Sequence, residues 1–91
     1  MDELSEQAPG LEFPCRYPVK AMGRHDDELI DRIWSIVTHH APDTPAEALR
    51  TTASRGGRFV SVTVTITAES RAQLDAIYAD LRAHEQVLAA L

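Results

Sequence analysis

Only one cysteine, Cys15, occurs in the 91 residues, so no internal disulfide can form and no thiol-rich metal cluster can assemble. No apolar run approaches the roughly 20 residues that a membrane-spanning helix requires. Basic residues are also scarce. Nine Lys+Arg stand against fourteen Asp+Glu, a formal net charge of −5, which argues against a protein whose main task is to grip phosphate backbones. The stretch Met1 to Gly10 is acidic and polar and lacks the basic start and apolar core of a secretion signal. Together with the lone thiol this points to a reducing, cytoplasmic location. Among His25, His39, His40 and His84 there is no His-x-x-x-His pair, and the adjacent His39 and His40 point about 100° apart on a helix. Neither a metal nor another cofactor is expected. No Ser-His-Asp or paired-carboxylate arrangement can be argued from spacing, so no enzyme is expected either.

What is present is a core-forming chain. With 44% hydrophobic residues it is long enough for one globular domain and too short for two. Residues 1–10, ending in Pro9-Gly10, read as a flexible leader, and 11–91 as the domain. From Phe13 to Met22 the pattern has a two-residue repeat, with Cys15, Tyr17, Val19 and Ala21 on one side and Arg16, Pro18 and Lys20 on the other. This predicts a half-buried strand, in which Pro18 suits an edge or a bulge and which Gly23 ends. Asp26 to His40 reads as a helix. Carboxylates open it, Leu29, Ile30, Ile33, Ile36, Val37 and His40 form its stripe, and Pro42 blocks its continuation.

Ala46 to Ala53 alternates weakly and reads as a short strand, followed by a hairpin loop over Ser54-Arg55-Gly56-Gly57-Arg58. Phe59 to Ala68 is the clearest strand, with Val60, Val62, Val64 and Ile66 alternating with Ser61, Thr63, Thr65 and Thr67. Ser70 and Gln73 then form a capping box, and Leu74, Ile77, Tyr78 and Leu81 carry a second helix to about Ala83. Gln86 to Leu91 reads as a closing strand. The order βαββαβ, with right-handed crossovers, predicts an α+β, ferredoxin-like sandwich: a four-stranded antiparallel sheet with two helices on one face. Nothing is left to cover the other face.

Several short blocks carry a family resemblance. They are Leu11-Glu12-Phe13-Pro14-Cys15, Val19-Lys20-Ala21-Met22-Gly23, His40-Ala41-Pro42, Ser54-Arg55-Gly56, Ser61-Val62-Thr63-Val64-Thr65 and Gln73-Leu74-Asp75-Ala76-Ile77-Tyr78. Over roughly Leu11 to Leu91 the chain resembles the YbeD-like family of small bacterial proteins. It departs at Thr52-Ala53, where that family usually has Pro-Ser, and at Ala89-Ala90, where bulkier residues are usual. The resemblance implies a ferredoxin-like fold similar to ACT regulatory domains, which bind amino acids or pair through their sheets. It brings no catalytic residues with it.

Two places are candidate sites. The loop after the first strand offers Gly23, Arg24 and His25 to a small carboxylate ligand, since a close-approach glycine and helix-start amides suit such a group; the competing reading is a turn glycine with a solvated arginine. The uncovered sheet face should present Arg16, Lys20, Phe59, Ser61, Thr63 and Thr65, a surface suited to docking a protein partner or a second copy. A plain wet face is the bland alternative. Arg55 to Val62 is similar to the basic-Gly-aromatic signature of RNA-recognition domains. Gly57 and Val62 stand where stacking aromatics are needed, and only Phe59 could stack. The leading expectation is therefore a non-enzymatic regulatory or interaction module. An RNA-binding domain using Phe59 and the loop arginines is the alternative.

Overall fold

The structure, a computed structural model, describes residues 11–91; the expected leader lies outside them. Six regular elements follow in the order anticipated: β1 (Cys15–Arg24), α1 (Asp27–His40), β2 (Leu49–Ala53), β3 (Phe59–Ala68), α2 (Arg71–Ala83) and β4 (Ala89–Ala90). The sheet order is β2-β3-β1-β4 with every pairing antiparallel, which is the ferredoxin-like arrangement. No helix among the described residues is long and apolar enough to cross a membrane.

Alternation on the long central strands builds the core. Val60, Val62, Val64, Ile66 and Ala68 of β3 point inward beside Val19 and Ala21 of β1. Leu29, Ile33 and Val37 of α1, with Leu74, Ile77, Tyr78 and Leu81 of α2, close over that side. Both helices begin as their sequences demand. Asp26 caps α1 by accepting the Glu28 amide at 2.8 Å, and Ser70 caps α2 by accepting the Gln73 amide at 3.1 Å.

Several boundaries differ from the sequence reading: β1 begins at Cys15 and not at Phe13, and α1 at Asp27, with Asp26 as its cap. Gly23 does not end β1, which continues to Arg24, because Gly23 and Arg24 stay in register with Val60 and Phe59. The weak strand over Ala46–Ala53 divides into a 3-10 turn at Ala46–Ala48 and a five-residue β2. The closing strand shrinks to Ala89–Ala90, flanked by hydrogen bonds from Leu88 to Met22 and between Leu91 and Lys20. Pro18 is explained by that shortness. It lies on β1, an interior strand by order, yet β4 reaches only Lys20 to Met22, so the missing N–H of Pro18 faces no described strand.

Candidate functional site

The inward set of β1 and β3 leaves an outward set on the opposite face, which neither helix covers. From β1 it takes Arg16, Pro18, Lys20, Met22 and Arg24, all exposed; from β3 it takes Phe59, Ser61, Thr63, Thr65 and Thr67. The interaction residues expected from the sequence, Arg16, Lys20, Phe59, Ser61 and Thr63, are thus brought together on one surface. The register adds members that periodicity in a single strand could not supply. Arg50 lies opposite Thr63 and Thr52 opposite Ser61, which brings both onto this face. On the other side Leu91 exchanges backbone hydrogen bonds with Lys20 at 2.8 and 3.2 Å and shares its face, as directly opposed residues do.

The composition of this surface is uneven. Met22, 39% exposed, lies opposite half-buried Ala89 and diagonal to half-buried Phe59, while Leu91, 74% exposed, lies opposite Lys20 at the sheet edge. At the opposite end Arg16, Thr65 and Thr67 run into a cleft of about 490 Å³. Its far wall is the connection after α1, including Pro42, Pro45 and Glu47. Arg55 and Arg58 sit exposed in the hairpin, where Gly56 and Gly57 adopt left-handed backbone.

The loop candidates are placed differently. Gly23 is buried against its own chain: a Cβ built there would lie 2.3 Å from the Gln86 carbonyl oxygen and 2.7 Å from Leu29 Cδ2. His25 donates its backbone N–H to Arg58 at 2.9 Å, and its Nδ1 lies 3.3 Å from the Gly57 carbonyl, tying the loop to the hairpin. Arg24 points outward with the sheet-face cations, not toward the helix start. One of the amides at that start is taken by the Asp26 side chain. Beside this loop, Gln86 Oε1 is a buried acceptor without a partner among the described residues.

Elsewhere, polar contacts join one element to another. His40 Nε2 meets Asp80 Oδ2 at 2.6 Å, joining the C-terminal end of α1 to α2. Tyr78 donates its hydroxyl to the Leu91 carbonyl, and desolvation by burial, with Tyr17 beside it, pushes its ionisation above the ordinary value of 10.0. Among the described residues no group of three or more His, Cys, Asp or Glu side chains is placed to hold a metal ion.

Comparison with known proteins adds the lineage. Residues 8–91 match the family described as a protein of unknown function, DUF493. The chain is 46% identical over 88 residues to a UPF0250 protein of Azotobacter vinelandii, covering 96% of each. It is 48% identical over 77 residues to one of Chromobacterium violaceum, covering 85% of this chain and 86% of that one. A UPF0250 protein of Neisseria gonorrhoeae is 39% identical over 87 residues, with 96% of each covered. On the strength of a match spanning nearly its whole length, the chain belongs to the DUF493 (UPF0250) family, the YbeD-like group of small bacterial proteins to which no function has been assigned.

Proposed function

We propose that this protein is a non-enzymatic interaction module that regulates a partner polypeptide by docking to it through the uncovered sheet face. One observation carries the reading. A four-stranded sheet packs both helices on one side and leaves on the other a continuous surface in which Met22 and Leu91 are exposed among cations and threonines. Exposed apolar side chains set beside polar and cationic ones are common in protein-binding patches. Arg16, Lys20, Phe59, Ser61 and Thr63 are the proposed contacts.

A photoreactive benzophenone side chain introduced at Thr63, in cells expressing the protein, tests this. It should form a covalent adduct with a second polypeptide, while the same group at Ala79, exposed on α2, should not. Absence of an adduct at Thr63, or equal adducts at both positions, overturns the proposal.

A further inference from the structure

The net charge of −5 hides how the charges are distributed. Among the described residues no strand contains an Asp or Glu. Every described Asp and Glu lies on a helix, in the 3-10 turn, in a connection or before β1. The strands instead hold Arg16, Lys20 and Arg24 on β1 and Arg50 on β2, all four on the uncovered face by register. None of these four makes an ion pair among the described residues. The described residues are therefore two-sided: an acidic helix layer behind, and in front a cationic sheet surface with no ion pair among those residues.

We propose that the docked partner is an acidic amphipathic segment of another protein, its carboxylates meeting Arg16, Lys20, Arg24 and Arg50 and its apolar side chains meeting Met22, Phe59 and Leu91. This rests on the docking reading and specifies its chemistry. Cations without acidic side chains among them discriminate against basic partners through like-charge repulsion, and against neutral ones because covered cations would be left without a partner. The exposed apolar side chains supply what charge alone does not, a surface to be removed from water. Unbranched Met22 adapts to irregular apolar partners.

A nucleic acid is the other polyanion to weigh, and the face suits it less. Single-stranded binding rests on several aromatic platforms for successive bases. Here Phe59 is the one aromatic on the surface, and it is half-buried. A long polyphosphate would also run past the sheet toward the acidic helices. A short acidic protein segment meets only the cationic side.

The test is titration of isotope-labelled protein with a synthetic leucine–glutamate helical peptide, its leucine–glutamine counterpart, and oligouridylate, followed by amide NMR. The acidic peptide should shift the amides of Lys20 to Arg24, Arg50 and Phe59 to Thr63. It should weaken by about tenfold or more in Arg16→Glu/Lys20→Glu/Arg50→Glu protein, as expected when attraction becomes repulsion, but not in Arg32→Glu protein. Rising salt should weaken it as well. Equal binding of the glutamine peptide, or tighter binding of oligouridylate, overturns the inference. So does a concentration-dependent shift of the same amides without any peptide, since the occupant is then a second copy. A Thr63 adduct that persists in the triple-Glu protein overturns the acidic partner but leaves the docking reading standing. Loss of the adduct from otherwise unaltered protein removes both.

Discussion

Gly23 and Gly56 show how one residue type serves two physical needs. Gly56 has φ +85° with open space where a side chain would go, so its requirement is backbone freedom alone. Gly23 has no such backbone. Its requirement is room, because the Gln86 carbonyl and Leu29 already fill the position of a Cβ. Gly56→Ala should cost about 1–2 kcal/mol through left-handed strain. Gly23→Ala should cost more, about 3 kcal/mol, because a rigid carbonyl has to move and the strand end moves with it. Urea unfolding of both variants checks the order; equal costs would mean that Gln86 shifts freely.

Among the elements, Gln73 couples capping to helix pairing. Its backbone N–H donates to Ser70 Oγ at 3.1 Å, its Oε1 accepts the Glu69 amide at 2.6 Å, and its Nε2 donates to the His40 carbonyl at 2.8 Å. One side chain thus satisfies an orphan amide before α2 and an orphan carbonyl at the end of α1. Gln73→Ala should lower stability by about 2 kcal/mol, one cap and one cross-helix hydrogen bond together. Gln73→Glu keeps the cap acceptor but sets a carboxylate oxygen against the His40 carbonyl, so it should recover less than half of that in thermal unfolding. The capping box was legible as Ser-x-x-Gln, although Gln73 reaches Glu69 and not the Ser70 amide. The bridge to His40 was not legible, since nothing in a local spacing says which helix will lie alongside.

For the whole molecule, the fate of β4 sets a limit at high pH. Two residues pair with β1, and the buried Tyr78 hydroxyl holds the carbonyl of Leu91 beyond them. The folded state favours the neutral phenol, chiefly through desolvation, so Tyr78 loses its proton more readily when unfolded. Its contribution is fully present below the ordinary tyrosine value near 10 and is lost as pH rises above it. Stability should therefore fall on going above pH about 10, and Tyr78→Phe should flatten that decline while costing about 1 kcal/mol at neutral pH. A decline of the same slope in Tyr78→Phe protein would assign it to other groups. On the same scale, alternation in Phe59–Ala68, the helix stripes and the caps determine by themselves the order of elements and hence the fold, because burying one face of each element is a requirement written at periods of 2 and 3.6 residues. They also place Arg16, Lys20, Phe59, Ser61 and Thr63 on one side of their strands. Packing of the whole chain adds Arg50 and Leu91 to them, closes Gly23 in against Gln86, and leaves the described strands of a chain of net charge −5 without an acidic side chain. Those outcomes depend on register between strands distant in sequence, and register is fixed by pairing across the sheet, not by any pattern within one strand.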